Sequence, residues 1–552
     1  MSKKVGKSFA MQATILAVAS IVSKLIGMLY NIPFVNILDT EGNGYYGTAQ
    51  TIYALILLIA TFSIPAAISK IMAERIEKGE YKNVKRIFNG SMIYVLIVGG
   101  IAAIFTYVAA PILVEEVSNA TLSLRILAPT IFLSGFLSVY RGYFQAYGNM
   151  VPTSISQIVE QIFNAIVSIA AAILFINWAI TSGHADQQAM YGAAGGTLGT
   201  GIAVLAGLIY MMILFGKEKK VLRAKVQSDT TEHVMSYSEV FKLLLMIATP
   251  IILSSFIYNV NVTLDMKVFL AILKGQGMEE AAISGAYGLY NRYYLVLANV
   301  PIAMAAAVSS AIIPSVSSAF SVGDVTTCNR KISQSIQLAM TLTVPCAIGF
   351  AVLGKPIVQL IYKSLSEENT NTVAGLLLLG GISIVLYGIS SVLNGVLQGI
   401  GKVNVPVISS AVALVVHLFL LVPMVALTNL GVYSLIIATA FYAIIVVIMN
   451  YRAVKRVLEY RMDWKQCVWV PFASAIIMGI LAVVSYLGVD ALCNKVMGEY
   501  ASNAIAVLVA IMLAVITYFI SMIKIGGYTK EMLLAFPKGA AIVRLAEKLH
   551  LI

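Results

Sequence analysis

The sequence predicts an all-α integral membrane protein of fourteen transmembrane helices, built as two parallel six-helix lobes followed by two more C-terminal helices. Three observations lead there. The 552-residue chain is 59% hydrophobic and only 11% charged, whereas ordinary soluble domains carry about 25% charge, and a water-facing surface cannot be made from so little polarity. Apolar runs of about 20 residues, long enough to cross a bilayer, recur fourteen times. Stretches lying about 241 to 254 residues apart repeat one another.

Taken in order, the spans are expected at 9–31, 46–72, 87–113, 121–144, 153–177, 189–215, 240–272, 284–313, 331–353, 372–399, 405–427, 431–450, 467–488 and 501–523. Each is read as a helix, because an unpaired backbone group in hydrocarbon costs several kcal/mol. Lys3, Lys4 and Lys7 precede the first run as they would in a signal peptide. That run is long, carries Lys24 and is followed by many more spans, so it stays as a helix. The longest interior connection, Gly216 to Ser238, is too short for an independent domain, and no nucleotide-hydrolysing domain is expected.

The cations set the orientation, since Lys and Arg gather in short cytoplasmic loops. With the N-terminus inside, the inner segments hold 28 of the 37 Lys and Arg residues and the outer loops hold 4: Lys274, Lys355, Lys363 and Lys495. A missed or invented span would scramble that alternation. Both termini are therefore expected in the cytoplasm. The remaining 5 lie within spans: Lys24, Lys70, Arg125, Lys267 and Arg292.

The repeat fixes the lobes. Val139-Tyr-Arg-Gly-Tyr-Phe-Gln-Ala-Tyr-Gly148, with Val151, Pro152 and Ser156, matches Val392-Leu-Asn-Gly-Val-Leu-Gln-Gly-Ile-Gly401, with Val405, Pro406 and Ser410. Gly44-Tyr-Tyr-Gly47 matches Gly285-Ala-Tyr-Gly288, and Pro111-Ile112 matches Pro356-Ile357. Each pair joins a span to the one six places later, so both halves insert in the same orientation. The expected limits are an N-lobe at 1–216, a cytoplasmic linker at 217–238, a C-lobe at 239–451, two added spans within 452–523 and a cytoplasmic tail at 524–552. In that tail, Ile542, Leu545, Ala546 and Leu549 share one face of an amphipathic helix suited to the membrane interface.

Catalytic chemistry finds no foothold. Cys328, Cys346, Cys467 and Cys493 are scattered, and His184, His233, His417 and His550 are isolated, so neither a metal site nor a cofactor is expected. Gly349-Phe-Ala-Val-Leu-Gly354-Lys355 imitates a phosphate loop, but Pro356 stands where a hydroxyl should hold magnesium. The chain reads as a non-enzyme with no nucleic-acid partner.

The buried charges carry the functional signal, because an ionisable group in a span is costly unless it meets water, a partner or the interface. Lys70 and Arg125 lie near span ends and can snorkel. Lys24 in span one, Lys267 and Asp265 in span seven and Arg292 in span eight fall at comparable depth in the outer half of the bilayer. They could line one cleft; alternatively, Asp265 pairs locally and Lys267 reaches the outer surface. Glu160 in span five belongs to a polar stripe with Gln157, Gln161 and Asn164. That stripe faces either the cavity or a neighbouring helix. Five cations against two carboxylates, Glu160 and Asp265, favour an anionic substrate.

Ser23-Lys-Leu-Ile-Gly-Met-Leu-Tyr30, the Arg141-Gly-Tyr-Phe-Gln-Ala-x-Gly-x-Met-Val-Pro152 turn and the fourteen-span plan resemble the multidrug/oligosaccharidyl-lipid/polysaccharide exporter superfamily. Within it, the chain is similar to the branch of stage V sporulation protein B and the lipid II flippases of cell-wall synthesis. The resemblance implies a V-shaped pair of lobes around a cationic cavity, with spans thirteen and fourteen making a groove for a polyprenyl tail. It further implies that an undecaprenyl-pyrophosphate-linked precursor crosses from the inner to the outer leaflet of a bacterial plasma membrane by alternating access. Lys24 stands at the first arginine of a family pattern in span one and Arg292 at the family arginine of span eight, and these two would hold the pyrophosphate. Lys267 and Glu160 complete the expected substrate-binding set, and Asp265 is the coupling-ion candidate. Tyr30 occupies the place of the second span-one arginine, and no arginine lies between Ile52 and Ile68, so the clamp is thinner than the family's. Membrane lipids and the cell-wall synthesis machinery are the partners implied. The alternatives are a flippase for another lipid-linked oligosaccharide, a cation-coupled drug exporter, or a scaffold that transports nothing.

Overall fold

A computed structural model describes residues 19, 22–24, 26–62, 64–528, 530, 533 and 539–548. Among these the chain is helical with no β-strand. The helices are α1 (Val22–Ile37), α2 (Thr40–Glu77), α3 (Tyr81–Leu113), α4 (Ala120–Ala146), α5 (Val151–Thr181), α6 (Ala185–Gln227) and α7 (Tyr237–Gly275). They continue as α8 (Glu280–Ser321), α9 (Val325–Ile361), α10 (Glu367–Gly399), α11 (Asn404–Leu427), α12 (Tyr433–Leu458), α13 (Lys465–Cys493), α14 (Glu499–Lys524) and α15 (Gly539–Lys548). Among the described residues 12 helices are long and apolar enough to cross a membrane. The fourteen-span count is reached only by adding α1, a shorter apolar helix, and α7, which has 39 residues. This is a multi-pass membrane protein.

Helix ends follow from local chemistry. Asp39 begins α2 by accepting a 2.7 Å bond from the Gly42 amide, and the buried Asn43 side chain donates to the carbonyls of Val35, Leu38 and Asp39. The Val35 and Leu38 carbonyls would otherwise lack a partner where α1 stops, whereas that of Asp39 also accepts from the Asn43 amide at 3.0 Å. α7 starts on a capping box in which Ser236 Oγ accepts from the Glu239 amide and Glu239 returns a bond from the Ser236 amide. The repeat reappears in the backbone: Gly148 and Gly401 both take positive φ, +70° and +75°, at the α4–α5 and α10–α11 turns. Gly79 and Gly323 match in the same way, both at +75°, before α3 and α9. Only glycine adopts that region without penalty.

The chain divides into two compact units, Met1–Gly288 and Leu289–Ile552, so the boundary falls inside α8 where a π-helical segment, Leu289–Tyr294, begins. Unit one contains the second-half elements α7 and Glu280–Gly288 beside α1–α6. There the two copies of the glycine–tyrosine motif meet, because a Cβ on Gly44 would collide with the Ser284 backbone and one on Gly288 with the Thr40 carbonyl. Ser284 Oγ donates to the Glu41 carbonyl at 3.0 Å, and Thr51 and Tyr287 share a 3.1 Å hydroxyl contact. The core of this unit joins Ile68, Ile87, Leu137 and Met211, with Phe88 stacked on Phe215 at 4.5 Å. In unit two, Ile332, Val396, Met478 and Met522 belong to one buried cluster. Ile101, Ile104, Val108 and Ile112 of α3 stand exposed, as they can where lipid is the solvent.

Three sequence expectations shift. α1 continues to Ile37, past the limit of 31, while residues 9–18 of that span lie outside the described residues, as do Lys3, Lys4 and Lys7. The stretch 217–227, expected as linker, prolongs α6 because its Lys, Glu and Leu residues are good helix formers. The tail helix forms as α15, but it packs on protein: Val543 and Ala546 are buried with Tyr528 and Leu533 in the cluster of unit two, and Lys530 pairs with Glu547 at 2.6 Å. Leu549 and Lys538 lie outside the described residues.

Candidate functional site: the intramembrane charges

Glu160 sits on α5 and finds its counter-charge on α4, where the Arg141 guanidinium donates to Glu160 Oε1 and makes two bonds of 3.0 and 2.8 Å to Ser156 Oγ. Both side chains are largely buried, at 16% and 17% exposure. Gly207 of α6 presses against the Glu160 side chain, and any Cβ there would overlap it. Serine, arginine and glutamate thus form one compact cluster that satisfies the charges a low-dielectric interior would otherwise penalise. The rest of the stripe turns toward α1: Asn164 Nδ2 donates to Tyr30 OH at 2.7 Å, Ser168 Oγ donates to Asn164 Oδ1 at 2.9 Å, and Gln161 lies against Gly27.

Lys267 of α7 pairs at 2.6 Å with Glu116, which lies in the α3–α4 connection and is only 8% exposed. The same connection is held at further points. Lys274 Nζ donates to the Glu115 carbonyl, and Glu280 accepts from Ser118 Oγ at 2.7 Å and from the Asn119 amide at 2.8 Å. Asp265, one helical turn from Asn261, is buried and accepts a 3.5 Å bond from Asn261 Nδ2.

Lys24 stands exposed on α1, and Arg292 is half-buried on the π-helical segment of α8. Around Arg292 the chain is rich in tyrosine. Tyr362 OH donates to the Tyr293 carbonyl at 3.1 Å, the two rings lie 4.8 Å apart, and Tyr290 stacks on Tyr294 at 5.7 Å. Gly380 of α10 makes the room that Tyr294 occupies. Of the two cations expected at span ends, Arg125 lies over the Tyr107 ring at 5.4 Å and Lys70 is exposed.

Two functional neighbours escaped the sequence reading. Arg141 was assigned by charge topology to an inner loop although it falls within the 121–144 span, and a depth count from the turn would have set it near Glu160. Glu116 lies between the 87–113 and 121–144 spans, and its 151-residue separation from Lys267 leaves no spacing signal in the sequence.

Comparison with known proteins agrees with this helical plan. The family model described as "Polysaccharide biosynthesis protein" matches residues 9–320, and that described as MatE matches 285–422. Lipid II flippase MurJ of Bacillus subtilis (strain 168) is 27% identical over 484 residues, covering 84% of this chain and 86% of the relative. Stage V sporulation protein B of the same organism is 23% identical, covering 88% and 91%. Among solved structures, a lipid II flippase MurJ in an inward closed conformation superposes with a TM-score of 0.64 at 16% identity over 92% of this chain and 98% of the other. An inward-facing multidrug resistance MATE family transporter gives 0.63 over 81% and 98%. These likenesses establish the fold, and the family match spans more than half of the sequence. The chain belongs to the polysaccharide biosynthesis protein family, in the flippase branch of the multidrug/oligosaccharidyl-lipid/polysaccharide exporter superfamily.

Proposed function

We propose that this protein is a flippase that moves an undecaprenyl-pyrophosphate-linked cell-wall precursor, lipid II, from the inner to the outer leaflet of a bacterial plasma membrane, with both termini in the cytoplasm. The observation that carries the reading is the charge balance. Five Lys or Arg residues stand within the spans read from the sequence against two carboxylates, and Lys24, exposed on α1, and Arg292, on the π-helical segment of α8, are the cations we assign to a pyrophosphate. The relation to the Bacillus flippase over most of both chains supports the same substrate class. Alternating access would carry the head group outward, and a potential negative inside favours that direction by about 2.3 kcal/mol per negative charge per 100 mV. Asp265 is the residue we assign to ion coupling.

The test is rescue of a bacterium depleted of its own lipid II flippase. Wild-type protein should restore growth and outward exposure of lipid II, and the Lys24→Ala, Arg292→Ala double variant should fail at unchanged protein level. Full growth with the double variant would remove both residues from the mechanism. A second reading, transport of a different lipid-linked oligosaccharide, is favoured by Tyr30, which bonds Asn164 where the resemblance implies an arginine. Failure of the wild-type protein to expose lipid II, with export of another lipid-linked sugar retained, would select it.

A further inference from the structure

The cation-rich face of unit one carries a cleft of two neighbouring pockets that share Lys225, formed by the α2–α3 turn, the α4–α5 turn and the last turns of α6 with residues 228–231. One chamber, about 260 Å³, is walled by Tyr143, Phe144 and Tyr147 with Asn149 and Glu218 at its side. The other, about 340 Å³, is lined by Lys78, Tyr81 and the hydroxyl-bearing stretch Ser228 to Thr231; Lys78 pairs at 2.7 Å with Glu74, both side chains being exposed, and such a surface pair is worth at most about 1 kcal/mol. Lys225 borders both. Its Nζ lies 4.9 Å from the Tyr81 ring centre and 5.4 Å from that of Tyr147. Ring faces hold an ammonium in place without neutralising it, and among the described residues no carboxylate forms an ion pair with Lys225.

The acids in the cleft do not block an anion. Asp229 uses Oδ1 to accept from the Thr231 amide at 2.7 Å and the Thr231 hydroxyl at 2.5 Å, and Oδ2 to accept from the Lys82 amide at 2.6 Å. The Lys82 ammonium lies on the same turn, donating to the Thr231 carbonyl at 3.2 Å. Glu218 belongs to the aromatic chamber, where a carboxylate suits hydroxyls and amines. Asn149 accepts from the Val151 amide through Oδ1, which leaves its amide nitrogen to donate. One chamber is therefore aromatic with amide and carboxylate edges, the other cationic with hydroxyls, and each is near the size range of small-ligand pockets, about 300–1,000 Å³.

We propose that this cleft binds a nucleotide, with its base against Tyr147 and Asn149 and its phosphate between Lys225 and Lys78 beside Thr230. The site is separate from the intramembrane charges and does not depend on the flippase reading. Full-length protein in nanodiscs would be titrated with AMP, UMP and inorganic phosphate by calorimetry. Saturable binding of at least one nucleotide is expected, with phosphate alone weaker by about tenfold or more. Lys225→Met, which keeps the stem against the rings, should weaken nucleotide binding by about tenfold, the scale of one charge-assisted hydrogen bond. Tyr147→Leu should weaken nucleotide but not phosphate. Lys78→Met, at an exposed position, provides the same test of the phosphate chamber should the Lys225 variant fold poorly. Absence of saturable nucleotide binding, phosphate binding as tight as nucleotide, or nucleotide binding unchanged in both lysine variants would overturn the assignment.

Discussion

The α4–α5 corner of unit one and the α10–α11 corner of unit two derive from the same repeated sequence, yet they solve a buried polar problem differently. Arg141 has Asn394 as its repeat counterpart, and Glu160 has Leu414. In unit one the arginine binds the glutamate across the turn. In unit two Asn394 Oδ1 instead accepts a 2.7 Å bond from Asn450 of α12. The turns themselves hardly differ, with Gly148 and Gly401 at nearly equal φ and Pro152 and Pro406 following each. Backbone geometry is thus shared while side-chain chemistry is not. A charged pair is expensive to bury and severe to break, whereas an amide pair is cheap on both counts.

The largest test of that contrast is to make unit one resemble unit two. Glu160→Leu alone should destabilise by about 3–5 kcal/mol, the cost of stranding a buried Arg141. Adding Arg141→Asn should recover most of the loss in thermal unfolding of the detergent-solubilised protein. Asn394→Leu, which leaves one amide unsatisfied, should cost only about 1 kcal/mol. An equal cost in the two corners would erase the distinction.

An intermediate effect probes what the corners share. Gly148→Ala and Gly401→Ala should each cost about 1–2 kcal/mol, because each forces a Cβ into left-handed backbone, and the two values should agree. A marked inequality, measured in the same melts, would show that the turns are not equivalent in strain.

The smallest effect concerns pH at a second pair of repeat-related positions. Glu80 precedes α3 and is held below the usual carboxylate range by the bond it accepts from Asn83, with Arg75 adding to it. Asp324 precedes α9 and is held below its usual range by the Thr327 amide it caps. A depressed folded pKa means that the stabilisation is complete above the unfolded value, about 4, and is lost as pH falls through the folded one. The protection of the Thr327 amide, its exchange rate taken relative to the intrinsic rate at each pH, should therefore fall on acidification, and Asp324→Asn, which still caps, should remove that pH dependence of the protection.

Much of this was legible in the sequence for physical reasons. The long apolar helices follow from what a bilayer forbids an unpaired backbone, and Gly148 and Gly401 could be paired because only glycine suits their backbone. The unread part is where partners lie far apart along the chain. Arg141 counted as an address label in a short loop, so its place beside Glu160 went unseen. Lys267 was read with its span neighbour Asp265, but its charge is met by Glu116 on a connection that carries no periodic pattern. Residues 217–227 looked like linker by charge, although every one of their types is compatible with continuing a helix.

The crossing of α2 with the start of α8 has a consequence for descent. Gly44 and Gly288 come from two copies of one motif, and they face each other within the same unit. In a half-length ancestor with a single copy, that contact could form only between two identical chains, as an isologous dimer interface. In one chain the partner is permanent and each copy can change alone, so the glycine–tyrosine pattern has to match its sibling and not itself.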